Sequence, residues 1–188
     1  IQRGDLSAIV SGRLNASAGD PGTINVLREL KATSVGAGMG QVDLLTLDII
    51  AMLFDQLFDD PKVPNGIKGL IGRLQIPVLK VAIADKSFFS TKTHPARRLL
   101  DAVGDMASRL PADFGPSHPL FERLQATLQE LVDGFQDDLA IFTKVRDDLG
   151  ALMAEEDRRI EEATRVEQKR VEEMEKLALA KNVAQAEI

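Results

Sequence analysis

From Gln41 to Phe58 apolar residues stand at 42, 44, 45, 47, 49, 50, 52, 53, 54, 57 and 58, with no proline or glycine to interrupt them. A run of that length suits a helix and exceeds an ordinary strand. The apolar positions are too dense for a one-sided amphipathic helix, so the sequence predicts a buried central helix here. Its few polar positions include Asp48, Asp55 and Asp59, seven and four residues apart, which places three carboxylates on one narrow stripe. The basic stretch that follows is their expected ion-pair partner.

Prolines punctuate the rest. Asp59-Asp60-Pro61 ends the first long helix, and Pro64 is placed to begin another with Lys68, Leu70, Ile71 and Leu74 in register. Pro77 biases Ile76 away from helical geometry, so Leu70 to Asp85 reads as two short helices or one kinked helix. Thr93-His94-Pro95 and Ser117-His118-Pro119 each precede an amphipathic run. Proline suits a first helical turn, and the residues just before it commonly cap free amides, so both histidines read as helix-start signals. Leu120, Leu124, Leu128, Leu131, Phe135, Leu139, Phe142 and Leu149 then keep one apolar stripe, giving a long helix with a break expected near Gly134. With no cysteine and 4% aromatic residues, disulfide scaffolds are excluded and β-sandwiches disfavoured. The expected class is all-α: an irregular helical bundle or short helical-repeat-like stack with a long charged C-terminal helix.

The expected organisation is an irregular N-terminal helical segment at 1–40, a helical core at 41–150 and a charged helical arm at 151–188. Short helices are expected at about 5–15 and 24–34. Glycines 36, 38 and 40 lack both the preceding strand and the following Lys-Ser or Lys-Thr of a phosphate loop. In the arm, Glu155/Arg159, Glu161/Arg165 and Glu172/Lys176 have the favourable acid-before-base order at four residues. The seam of Met153, Ile160, Met174 and Leu177 is interrupted by Glu156, Glu167 and Arg170. That thin seam suggests spacing, partner contact or weak self-association through 151–181.

Charge is segregated. Residues 1–61 carry −4, residues 62–98 carry +7 and residues 99–188 carry −9, within a total of −6. Lys80, Lys86, Lys92, Arg97 and Arg98 from the basic middle are the candidate binding residues, presented to a protein partner or to the remainder of a parent chain. The same cations suit an anion or a nucleotide, whereas the acidic whole and the lack of Trp and Tyr disfavour nucleic acid. For catalysis only Lys80, Asp85 and His94 are worth naming. They lie on different expected elements, so a non-enzymatic role without cofactor or metal is the expectation. No run reaches the roughly 18 apolar residues of a membrane span, and a cytoplasmic location is expected. Ile1 in first place and the charged C-terminal stretch suggest a segment of a longer polypeptide.

Met52-Leu53-Phe54-Asp55, Asp59-Asp60-Pro61, the run from Arg73 to Lys80, Phe88-Phe89-Ser90 and the run from His94 to Leu100 together carry a resemblance. Over roughly residues 42–110 the chain resembles the bacterial family called domain of unknown function 1631. Members of that family are considerably longer, and the resemblance implies relatives without supplying a chemistry to transfer. A thymidine phosphorylase label carried by some relatives finds no support here, because a phosphate-and-sugar site needs convergent donors in an α/β framework. A link of longer relatives to cyclic-dinucleotide signalling finds no Arg-x-x-x-Arg arm in this segment.

Overall fold

The computed structural model describes residues 25–32, 38–136 and 138–186. Among these the chain forms eight helices and no strand: α1 Val26–Lys31, α2 Gln41–Asp59, α3 Asn65–Gly72, α4 Gln75–Ala84, α5 Ser87–Ser90, α6 Pro95–Arg109, α7 Phe121–Gly134 and α8 Ala140–Ala186. The all-α expectation holds. The helix expected at 5–15 and glycine 36 lie outside the described residues, and the helix expected at 24–34 is shorter, Val26–Lys31. The chain divides into two compact units, residues 1–150 and 151–188.

In the first unit the central position belongs to α4. It packs against α1, α2, α5 and α7, and Gln75, Pro77, Val78, Leu79, Val81 and Ala82 are all buried. This corrects the expectation for α2. Thr46, Leu47, Ile50, Ala51, Phe54 and Phe58 of α2 face the core, but Val42, Leu45 and Met52 are about 60% exposed and Ile49 37%. The reason is geometric: α1 and α4 are the main neighbours of α2, and together they leave its far side uncovered by any described element. Apolar density along a sequence counts residues without saying how many neighbours a helix will have.

Pro77 does not cause a kink. The chain breaks earlier, at Arg73 and Leu74, giving the two-helix alternative. Pro77 then falls in the first turn of α4, where its missing N–H costs no intrahelical bond. The break near Gly134 also occurs, since α7 ends there and α8 begins at Ala140. Both histidines act as helix-start signals. His94 Nδ1 accepts from the Ala96 amide at 3.2 Å with Pro95 at the first position of α6, and His118 Nδ1 accepts from Leu120 at 3.2 Å just before α7.

One contact admits only glycine. Gly66 in α3 lies so close to the Phe114–Gly115 backbone that an added Cβ would sit 1.9 Å from the Phe114 carbonyl oxygen. Residues of α3 and α7 pack together around this approach, with Ile67, Ile71, Leu124, Leu128 and Leu131 fully buried.

The second unit is the continuation of α8 beyond Gly150. From Glu161 to Asn182 every residue is exposed. Its ion pairs include Glu156 with Arg159 at 2.6 Å and Glu167 with Arg170 at 3.7 Å, both three residues apart. Three and four residues ahead are nearly equivalent neighbours on a helix surface, so such pairs serve the same purpose as the acid-before-base pairs at four.

Candidate interaction surface

The basic candidates are set by the corner that α5 makes between α4 and α6. Lys86 precedes α5, Lys92 lies in the turn after it, and Arg97 and Arg98 occupy the first turn of α6. Asp85 builds the corner. Its Oδ1 accepts from the Ser87 amide at 2.9 Å and its Oδ2 lies 3.4 Å from His94 Nε2. Hydrogen bonds from Ser87, with the His94 imidazole close by, hold its carboxyl below the usual carboxylate range. Phe88 is buried, and its ring meets both Phe89 and His94 edge-on, at centroid distances of 5.1 and 5.5 Å.

The five candidates differ in fate. Lys86 reaches Asp43 at 3.5 Å, and Arg97 donates to the Phe89 carbonyl at 3.3 Å. Lys92 and Arg98 are exposed, with no carboxylate partner among the described residues. Lys80 is half-buried on α4, with its neighbours Leu79 and Val81 in the core. Of the three groups considered for catalysis, the fold brings Asp85 and His94 together. Asp85 Oδ1 starts α5 and His94 Nδ1 starts α6, while His94 is 97% buried with its Nε2 lacking a hydrogen-bond partner. Among the described residues no three His, Asp or Glu side chains converge as metal ligands.

The acidic stripe of α2 meets a different partner from the one expected. Asp48 is bonded to Lys31 at 2.8 Å and Asp55 to Arg28, both from α1. Asn25 completes the bracket. Its Oδ1 caps the Leu27 amide at 3.1 Å, and its Nδ2 donates to the Ala51 carbonyl at 2.6 Å and to Asp55 Oδ1 at 2.8 Å. Burial pushes the Asp55 carboxyl up, but the bonds from Arg28 and Asn25 outweigh it and leave the group below its ordinary range. The basic segment 62–98 is thereby relieved of two of the carboxylates expected to neutralise it. Asp43, in the first turn of α2, ties that helix to Lys86.

The feature missed in the sequence is the outer row of α2. Val42, Leu45, Ile49 and Met52 recur at intervals of three, four and three, the spacing of a helix-docking seam. Asp43, beside Val42, anchors Lys86, so this seam and the basic corner adjoin. The signal was present as spacing but hidden by the equally apolar inner face. An open depression of 470 Å³ lined by Pro116, Phe121, Glu122, Gln125, Ala126 and Gln129 contains no buried side chain to orient a ligand.

The sequence profile described as "Protein of unknown function (DUF1631) 2nd domain" matches residues 4–138. The chain belongs to the DUF1631 family. The match extends beyond the 42–110 stretch on both sides, taking in α1 and α7, and stops before α8 begins. No curated protein and no solved structure matches this DUF1631 chain. Among its described residues no helix is long and apolar enough to cross a membrane.

Proposed function

We propose that this DUF1631 domain is a non-enzymatic helical interaction module. Its partner is a protein segment, in another polypeptide or in the remainder of a parent chain, that docks as an amphipathic helix with an acidic flank. The observation that carries the reading is the exposed row Val42, Leu45, Ile49 and Met52. Apolar side chains at this spacing accept the matching face of a second helix. Lys86, Lys92, Arg97 and Arg98 at the adjoining corner supply the charge that favours acidic over basic partners. Asp85 and His94 support the non-enzymatic reading, since both serve helix starts. The reading places the module in the bacterial cytoplasm, which the cysteine-free chain permits.

Selection of helical peptides from a random display library against the 1–188 chain tests this. Binders should be acidic and amphipathic. They should lose at least tenfold in affinity to Leu45→Glu/Met52→Glu and to Arg97→Glu/Arg98→Glu chains. Binders indifferent to both double variants would refute the assignment.

A second reading draws on Lys92 and Arg98, exposed and without carboxylate partners among the described residues: binding of an anion such as a cyclic dinucleotide. Calorimetry with a cyclic dinucleotide would then show affinity that falls steeply with salt and is lost in Arg97→Glu/Arg98→Glu.

A further inference from the structure

The arm repeats itself every eleven residues. Residues 156–166, EDRRIEEATRV, align with 167–177, EQKRVEEMEKL. Glu156, Arg159, Glu161 and Glu162 recur identically as Glu167, Arg170, Glu172 and Glu173. Arg158, Ile160, Ala163, Arg165 and Val166 recur in kind as Lys169, Val171, Met174, Lys176 and Leu177. Eleven residues close three helical turns at about 3.67 residues per turn, so equivalent positions stand directly above one another. A seven-residue reading of the same stretch sees only an interrupted seam.

With that period each residue advances by about 98°, and the repeat resolves into five rows on one face. Ala163 and Met174 form the centre line. Ile160 and Val171 lie about 65° to one side, and Val166 and Leu177 about 65° to the other. Between the centre and the first row stand Glu156 and Glu167; between the centre and the second stand Arg159 and Arg170. The Glu156–Arg159 and Glu167–Arg170 ion pairs span the centre line, as this arrangement requires. Ile160, Val166, Val171, Met174 and Leu177 are 46–74% exposed. Three apolar rows are thus presented with nothing among the described residues of the arm to cover them.

We infer that this face pairs with the same face of a second copy of the chain, parallel and in register, with a right-handed supercoil. Charge complementarity selects both the occupant and the direction. In a parallel two-fold pair the left flank of one helix meets the right flank of the other, so each glutamate row faces the partner's arginine row. In an antiparallel pair glutamate row meets glutamate row and arginine row meets arginine row. Centre lines then stack Ala163 on Ala163 and Met174 on Met174, and the apolar rows close on either side. Ionic layers at positions 156/159 and 167/170 cost desolvation, so the pairing is weak and its direction is well specified. The inference concerns a different unit from the docking row of α2 and stands whether or not that row binds a partner.

The absence of cysteine makes the test clean. Ala163→Cys and Met174→Cys versions of the 1–188 chain should each form disulfide-linked dimers of their own kind under mild oxidation. A mixture should give no preferred 163-to-174 linkage. In sedimentation equilibrium the unmodified chain should rise with concentration from 20.5 kDa toward twice that mass. Glu167→Arg should weaken dimerisation at least tenfold, and adding Arg170→Glu should restore it. A mixed linkage that outcompetes the like-with-like ones would overturn the parallel arrangement. A chain that stays monomeric up to millimolar concentration, or a Glu167→Arg chain that dimerises unchanged, would overturn the pairing itself. Neither failure alters the peptide binding expected of α2.

Discussion

Replacing Asn25 by alanine removes a buried side chain that joins two helices with three hydrogen bonds. The bond to the Leu27 amide is a helix cap, worth about 1 kcal/mol. The bond to the Ala51 carbonyl is a neutral one, worth about 0.5 to 1.5 kcal/mol. The bond to Asp55 is charge-assisted, but that carboxylate is 30% exposed and keeps Arg28, so water and the guanidinium replace most of it. The expected loss is about 2 to 3 kcal/mol, which at roughly 2 to 4 °C per kcal/mol lowers Tm by about 4 to 12 °C. Urea titration followed by far-UV circular dichroism measures it. Asn25→Ser keeps the cap without the bracket and should recover about 1 kcal/mol. A loss below about 0.5 kcal/mol for Asn25→Ala would show that α1 is held by Val26, Leu27 and Leu30 alone and that the bracket contributes nothing.

Other expectations are independent of this one. Gly66→Ala forces a methyl into the Phe114 carbonyl, so the α3–α7 packing must shift, at a cost of roughly 2 kcal/mol or more in the same titration. Gln75 is fully buried with Nε2 unpartnered; Gln75→Met should be neutral or stabilising by up to about 1 kcal/mol, whereas Gln75→Glu buries a charge and should cost at least about 3 kcal/mol. Asp55 and Asp85 both hold carboxyl groups below their ordinary range. As pH falls below about 4 the unfolded chain takes up their protons first, so the stability they give is complete above that pH and drains away through their lowered native values. Acid unfolding of Asp55→Asn should show a shallower loss over that window than the parent chain; an unchanged slope would contradict the role of the Arg28–Asn25–Asp55 bracket.

Helix existence was legible in the sequence because proline and histidine mark helix starts locally: His94 and Pro95 work through the amides one or two residues on, a distance that sequence spacing reports directly. Positions of helices in the core were less legible. Residues 41–58 and 75–84 are both apolar, and which of them sits in the middle depends on how many neighbours each finds, a property of the assembled unit. The carboxylates Asp48 and Asp55 show the same limit. Their stripe was readable, but the nearest cations in space, Arg28 and Lys31, come from before α2, while composition pointed to the richer segment after it. The arm hid its order for a different reason: its apolar rows recur with a period of eleven, and a search for seven finds only interruptions.

The claim on which the functional reading depends is that the outer row of α2 receives a partner helix. Methyl resonances of Val42, Leu45, Ile49 and Met52, followed by NMR while a selected acidic amphipathic peptide is titrated into the 1–188 chain, examine it most directly. These four residues should shift together and saturate at one affinity, with the amides of Lys86, Lys92, Arg97 and Arg98 moving alongside. Shifts confined to α7 or α8, with the α2 methyls unmoved at saturation, would contradict it.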